Sequence, residues 1–503
     1  MRFGVTTPSR EEFAATGGTG GQVMVPVTRR LLADGQTAVG IYRALVGDRP
    51  GTVLLESAEQ GKRWARYSFV GVRSAGVLTE RDGRTQWLGE DLPGLTDDLP
   101  TDPLEAVRVV ARRLRSPRTP GLPPLTGGLV GYLGYDVVRR LERLPSTSTD
   151  DLGMPELAMM LVTDLAVLDH SDGSVLLIAN AVAGAAGGYD DAVARLDAMA
   201  SALTGAVAPT VSVFERADAP PVRSNLEPGA FETGVERVRE HIRAGDAFQV
   251  VLSQRFELAT EVEALDLYRV LRATNPSPYM YLLRFAGRES PFDVVGSSPE
   301  ALVTVTGTSA VVHPPAGTRP RGATPEEDLR LAEGLLADPK ERAEHVMLVD
   351  LARNDLGRVC VPGSVEVPDF MRVEHYSHVM HLVSTVAGEV SPGCDALDVF
   401  DATFPAGTVS GAPKPSAMTI IETLEPTRRA LYAGTVGYFD ASGDMDMAIA
   451  IRTAVLHDGR AYVQAGAGIV ADSDAATEEA ETRHKARAVL SAIATAESLR
   501  DLA

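Results

Sequence analysis

The stretch TEEAETRHKARAVL, residues 477–490, carries the period of a helix. At 3.6 residues per turn, Glu478, Glu481 and Lys485 share a stripe that continues into Val489, Ala492 and Ala496. Arg483, Arg487 and Ser491 take the opposite, wettable side. Two carboxylates and an ammonium thus lie on the face a helix normally buries, where an isolated charge is costly.

A second segment repeats the pattern. DPKERAEHVMLVDLARNDLGRV (338–359) opens as a capping box, with Asp338 as cap, Pro339 next and Glu341 three residues on. In that register Glu344 shares a face with Met347, Leu348 and Leu351, while His345 and Arg353 sit away from its centre. One inward Glu is explained by an internal salt bridge, to Lys485 or to an Arg. Two on separate helices favour a shared hard cation. Mg²⁺ takes few carboxylates and completes its shell with water and substrate oxygen. The expectation is that Glu344 and Glu481 meet across one Mg²⁺, with Glu478 assisting.

Other residues invite the same weighing. Arg452 interrupts the apolar run MAIAIRTAVL, and a buried guanidinium wants a bidentate anion, from the protein or from a substrate. FPAGTVSGAPKPSAM (404–418) lacks the spacing of a phosphate loop. It is expected to be a turn whose amides and Thr408 and Ser410 hydroxyls suit a carboxylate. QAGAGIV (464–470) reads as another turn, where Gly466 and Gly468 let backbone approach a ligand. His378 and His381 in HVMH do not make a zinc site without a third ligand; His381 is either a proton-transfer group or a satisfied core histidine. DASGDMDMA (440–448) lacks the twelfth-position Glu of a calcium loop and fits a hairpin turn.

These groups need elements to hold them. The 503 residues suffice for two or three domains, and 44% hydrophobic content suits a globular chain. A net charge of −20 argues against nucleic-acid or anionic-membrane partners, so an anionic substrate needs a local cationic pocket. Two cysteines, Cys360 and Cys394, form no CxxC pair and suit a reducing compartment. MRFGVTTPSREEF has no apolar core for secretion and no run approaches a membrane span, so a cytoplasmic location is expected. Residues 1–22 are expected to be a flexible segment, 23–206 a first domain of short strands with helices DPLEAVRVVARRL and YDDAVARLDAMASAL, and 207–229 a Pro-rich linker. Residues 230–503 mix helices with strands such as FQVVLSQRFEL, YMYLLRF and AYVQAGAGIV. The lack of regular βαβ spacing predicts an α+β fold with mainly antiparallel sheets.

Taken in order, LLES (54–57), NPSPYMYLLRF (275–285), SSPE (297–300), PPAGTRPRG (314–322), ERAEHVMLVDLARNDLGRV (341–359), SHVMHLVSTV (377–386), FPAGTVSGAPK (404–414), YAGTVGYF (432–439), AIRTAV (450–455), AGAGIVADS (465–473) and ETRHKA (481–486) resemble the chorismate-utilising enzymes. The resemblance is most specific to the component I chains of anthranilate synthases. It implies a two-domain α+β fold with antiparallel sheets packed face to face and flanking helices. It implies Glu344 and Glu481 as magnesium ligands, with Glu478 contributing through water. Arg452, Tyr432, Thr408, Gly317, Thr318, Lys485 and the Gly466–Ala467–Gly468 amides are implied as substrate-binding groups. Glu300 resembles the acid that protonates a departing 4-hydroxyl, and His381 the residue that assists loss of pyruvate.

Two positions separate members of that family. Isochorismate and salicylate synthases carry a water-activating Lys where this chain has Gln249, and aminodeoxychorismate synthases a nucleophilic Lys where it has Ala316. The resemblance therefore implies direct attack of ammonia at C2 of chorismate, giving anthranilate and pyruvate. The rivals are an enzyme that stops at aminodeoxyisochorismate, a catalytically silent tryptophan sensor, and a structural subunit. Glu56, Ser57, Pro278, Tyr279 and Met280 match the family's tryptophan-binding segments, which makes 23–206 a regulatory domain. With no Gly-x-Cys-x-Gly element in the chain, ammonia is expected from a separate glutamine amidotransferase subunit, component II, in a heterotetramer of two of each.

Overall fold

Strands here alternate apolar residues between two faces, and the computed structural model shows what each face meets. It describes residues 3–17, 24–59, 63–182, 188–205, 211–287, 290–375 and 379–502, apart from the side chains of Glu59, Arg63, Trp64, Thr318 and Val379. His378 lies outside the described residues.

The strands pair antiparallel throughout and fork at Leu157–Asp169. One branch runs through Gly128–Leu133, Thr435–Asp440, Met445–Ile449, Ala301–Thr306 and Ser309–Val312 to Val379–Glu389. The other runs through Tyr67–Arg81, Thr52–Glu56, Tyr279–Phe285, Phe292–Ser298, Thr453–His457 and Arg460–Ile469 to Gln249–Ala259. Their inner faces pack together, Val130, Tyr132, Val436 and Tyr438 against Tyr281, Leu283, Phe285 and Phe292. The Tyr132 ring stands edge-on to Phe285 at 5.6 Å and to Phe292 at 6.2 Å. Helices Pro103–Leu114, Pro339–Gly357 and Ala396–Thr403 cover the outside of the first branch. Ala38–Leu45, Gly188–Thr204, Ala264–Thr274 and Ala475–Ala496 cover the second. The result is the expected α+β fold, helix on sheet on sheet on helix. Among the described residues no helix is long and apolar enough to cross a membrane.

Local signals explain many boundaries. Asp102 accepts from the Glu105 amide at 3.0 Å, with Pro103 in the first turn. Asp338 accepts from the Lys340 and Glu341 amides at 3.0 and 3.4 Å. The box is only half made, because the Glu341 carboxylate accepts from Arg319 at 3.0 Å. DASGDMDMA is the expected hairpin, pairing Tyr438 with Asp446.

Four expectations need correction. Residues 464–469 are not a turn but the end of the strand expected over AYVQAGAGIV, with Gly466 opposite Ser253 and Gly468 opposite Val251. The buried face of Pro339–Gly357 is rotated by about one position: His345 is fully buried with Leu348, Val349, Ala352 and Leu356, while Glu344, Met347 and Leu351 are half-buried. The N-terminal segment is docked where described, pairing Thr6–Thr7 with Thr28–Arg29 and setting Phe13 5.2 Å from Tyr189. The Pro-rich 207–229 stretch is strapped down over its described part. Ser212–Val213 pairs with Arg500–Asp501, and the Ala217 amide donates to Thr495 at 3.0 Å.

Two chain crossings between the branches lie side by side. Phe292–Ser298 passes through Pro299 and Glu300 into Ala301–Thr306, and Met445–Ile449 passes through Arg452 into Thr453–His457. They are stitched together: the Ile449 amide donates to Glu300 O at 2.9 Å, the Ser297 amide to Arg452 O at 3.1 Å, and the Ser298 hydroxyl to Ile449 O at 2.7 Å.

Candidate active site

Those crossings bond the backbone carbonyls of Glu300 and Arg452, 152 positions apart in number (452 − 300), each to the other crossing. Arg452 turns there with φ of 53°, and Ala430 and Ala433, which bracket Tyr432, take φ of 49° and 63°. Non-glycine residues in this left-handed region are uncommon and concentrate at functional sites. The guanidinium Nη1 donates to Lys485 O at 2.5 Å, which joins the crossing to the helix Ala475–Ala496. It is half-buried, and its desolvation pulls its pKa down, opposed by Tyr432 and by Glu481.

Glu300 accepts a hydrogen bond from the Thr408 hydroxyl at 2.7 Å. Burial pushes its carboxyl up to about 7, against the Thr408 bond and the Lys485 charge, which both favour ionisation. A carboxylic acid that is half protonated at neutral pH is suited to donate a proton. Lys485 Nζ sits between Gly466 O, at 3.0 Å, and Glu481, at 2.6 Å.

His381 Nδ1 lies 2.9 Å from Gly317 O. A carbonyl only accepts, so Nδ1 carries the hydrogen and Nε2 is the basic nitrogen. Burial lowers the His381 pKa and the Arg452 charge lowers it further, while the Gly317 bond opposes them. The ring is therefore a neutral base near pH 7. Gly317 has φ of 64°, and a side chain there would strike Leu335 and Glu341 at 2.9 Å. The Thr318 side chain lies outside the described residues, though its backbone pairs with His381.

The glycines of the 460–469 strand make room for neighbours. A Cβ on Gly466 would meet the Tyr432 hydroxyl at 2.7 Å and Leu252 O at 2.8 Å. One on Gly468 would meet the Gln249 amide at 2.6 Å. Ala467 between them is buried against Leu252. Tyr432 itself is buried, which pushes its hydroxyl up to about 12 and keeps it a neutral hydrogen-bonding group.

The acids of the two helices converge without touching a common partner. Glu344 faces the Gln249 amide at 3.4 Å, and Glu481 is held by Lys485. Glu344 is raised by burial and then by the charges of Glu341 and Glu481; Glu478 is raised by burial and by Glu481, against a Ser473 bond. Each thus lies in the field of Glu481. Among the described residues no group of three His, Cys, Asp or Glu side chains is placed to hold a metal. The set still fits a hard cation. It offers oxygen donors only, and its mutual repulsion is what a divalent charge relieves.

The segments LLES and NPSPYM also meet. Met280 pairs with Glu56 across neighbouring strands, and the Ala58 amide donates to Ser277 O at 3.1 Å, which sets Ser57 beside Pro278. Glu56 is buried and accepts from Ser68 at 3.1 Å, Tyr268 at 2.7 Å and Arg272 at 2.7 Å. Tyr279 turns its hydroxyl to Asp446 at 3.1 Å.

Sequence reasoning missed Thr482, fully buried on the 475–496 helix and bonded by Gln254 at 2.7 Å, and the buried pair Glu425–Arg429. The pair had a local signal in its i, i+4 spacing, but no sign of what it would touch.

A model of the chorismate binding enzymes matches residues 52–491. The chain belongs to that family. Anthranilate synthase component 1 of Mycobacterium tuberculosis is 53% identical over 506 residues, covering 98% of this chain and 97% of that protein. The same component of Arthrobacter globiformis is 51% identical over 512 residues, covering 99% and 95%. The solved structure of anthranilate synthase component I from Streptococcus pneumoniae superposes with a TM-score of 0.75 at 38% identity, covering 85% of this chain and 92% of that one. The family match spans both branches and both crossings, so Glu300, Arg452 and Lys485 belong to one chorismate-family enzyme.

Proposed function

We propose that this enzyme is the large component of an anthranilate synthase, converting chorismate and ammonia to anthranilate and pyruvate, the first committed step toward tryptophan. The observation that carries the reading is a proton-donating Glu300 in the field of Lys485, whose carbonyl holds Arg452, in a site that offers no lysine at Gln249 or Ala316. Without those lysines neither water nor the enzyme supplies the nucleophile, which leaves ammonia.

Arg452, Lys485 and the Tyr432 hydroxyl bind the carboxylates of chorismate and offset the chain's net charge of −20. Ammonia forms a bond to C2, the ring double bonds shift, and the C4–O bond breaks as Glu300 protonates the leaving hydroxyl to water. Thr408, bonded to Glu300, orients its carboxyl. His381 Nε2 then takes the C2 proton. The electron pair enters the ring, the enolpyruvyl C–O bond breaks, and the enol leaves as pyruvate while the ring becomes aromatic. Glu344 and Glu481, with Glu478 behind them, would hold Mg²⁺. When bound, that ion supplies positive charge for a substrate carboxylate.

The same reading assigns the Glu56–Ser57 and Pro278–Met280 junction to tryptophan as feedback inhibitor. It assigns ammonia supply to a glutamine amidotransferase partner in a heterotetramer of two of each, and places the enzyme in the cytoplasm. Stopping at the aminated intermediate is not favoured, since the relatives above carry the full synthase name. The test mixes the chain with chorismate, Mg²⁺ and ammonium. Anthranilate fluorescence should rise, EDTA should abolish it and tryptophan should suppress it. A non-fluorescent amino product would overturn the reading.

A further inference from the structure

We infer that Glu425 and Arg429 are positioning residues for the substrate pocket, and that this buried ion pair orders the site rather than stabilising the fold. The inference rests on the function proposed above. Arg429 and Glu425 expose only 1% and 5% of their side chains. Arg429 donates through Nε to Glu425 Oε2 at 2.8 Å and through Nη2 to Oε1 at 2.6 Å, the fork-to-carboxylate geometry.

Its remaining donors reach two elements of the site. Nη1 donates to Val409 O at 2.7 Å, the residue after Thr408, and Nη2 donates to Val251 O at 2.7 Å. The guanidinium also lies over the Tyr432 ring, 5.5 Å from its centroid, and over Tyr135 at 4.8 Å. Glu425 Oε1 accepts from both the amide and the hydroxyl of Ser253 at 2.8 Å, and Ser253 stands opposite Gly466 in the sheet. One ion pair thus fixes the Thr408 segment, the Tyr432 ring and the strand register that presents Gly466. It is not itself placed among the groups assigned to reacting atoms.

A buried pair is weak support for stability, because desolvation offsets its attraction; well-packed apolar residues of similar size often replace it at no loss. Four fixed directions are another matter, since only guanidinium presents a planar fork. The two roles therefore separate by experiment. Arg429→Met alone strands a buried carboxylate and is expected to lower the unfolding midpoint. Glu425→Leu with Arg429→Met removes both charges and should recover part of the lost midpoint, the Ser253 amide and the Val409 and Val251 carbonyls losing these partners, while kcat/KM for chorismate stays about 100-fold low, the usual cost of roughly 1 Å of misplacement.

Calorimetric binding of chorismate should weaken in step, a readout that a stability role does not move. A folded double variant with wild-type kcat/KM overturns the inference, whatever its midpoint. If that variant does not fold, Arg429→Lys decides. It keeps the charge but not the fork, so a raised KM supports the inference and unchanged kinetics overturn it. If the wild-type chain binds chorismate but forms no anthranilate, the proposed function fails, and the binding arm still judges the pair.

Discussion

Replacing Thr408 with Val should move the pH dependence of the reaction without removing the acid. In the wild type the Thr408 hydroxyl donates to the Glu300 carboxylate at 2.7 Å, which favours the charged form. Hydrogen bonds to charged groups contribute about 1.5–3 kcal/mol. At about 1.36 kcal/mol per pK unit, losing one raises the Glu300 pKa by about one to two units from its value of about 7. Glu300 acts as an acid, so activity falls as pH climbs through its pKa. The alkaline limb of kcat/KM, which reports the free enzyme, should therefore begin near neutrality in the wild type and shift up in Thr408→Val. The assay follows anthranilate fluorescence with free ammonia held constant across pH. Thr408→Ser, which keeps the donor, should leave the limb in place. The height of the Val profile falls as well, since Thr408 is assigned to the pocket, but the position of the limb is what is read. A limb that stays put or moves to lower pH refutes the assignment of Glu300 as the acid.

Glu344→Gln and Glu481→Gln should each raise the Mg²⁺ concentration needed for half-maximal activity by more than the roughly 10–100-fold seen for residues that merely orient ligands; a Mg²⁺ titration checks this. Ser57→Phe should leave anthranilate formation near wild type yet abolish its suppression by tryptophan, measured as an inhibition curve. Gly466→Ala should be far more damaging than Gly468→Ala. The first methyl strikes backbone at Leu252 O as well as the Tyr432 hydroxyl, while the second meets the movable end of Gln249. Comparing kcat/KM and thermal midpoints of the two variants tests that order.

What the sequence made legible was local. The apolar run YMYLLRF read as a strand, and Asp102 with Pro103 as a helix start, because strand composition and capping depend on near neighbours. The acids of the two helices lie beside the buried faces rather than on them, Glu344, Glu478 and Glu481 all being half-buried. What stayed hidden was the pairing of distant strands, since period 2 does not say which edge a strand joins. The two adjoining crossings of Glu300 and Arg452 follow only from that pairing, as do the partners of Arg429. His345 was misplaced because the buried stripe of its helix lies one position from the half-buried stripe of Glu344, Met347 and Leu351, and both carry apolar residues. The glycines of QAGAGIV looked like a turn because composition cannot reveal that the Tyr432 hydroxyl and the Gln249 amide fill the space beside them.

In the proposed reaction the Glu300 carboxyl, bonded to Thr408 and in the field of Lys485, delivers the proton that expels the 4-hydroxyl of chorismate. Single-turnover kinetics of Glu300→Gln measure it most directly, with chorismate binding followed in parallel. Binding should be retained while anthranilate formation falls by about 10²–10⁴-fold, the usual contribution of a positioned acid. A Gln variant that turns chorismate over at the wild-type rate would contradict the account.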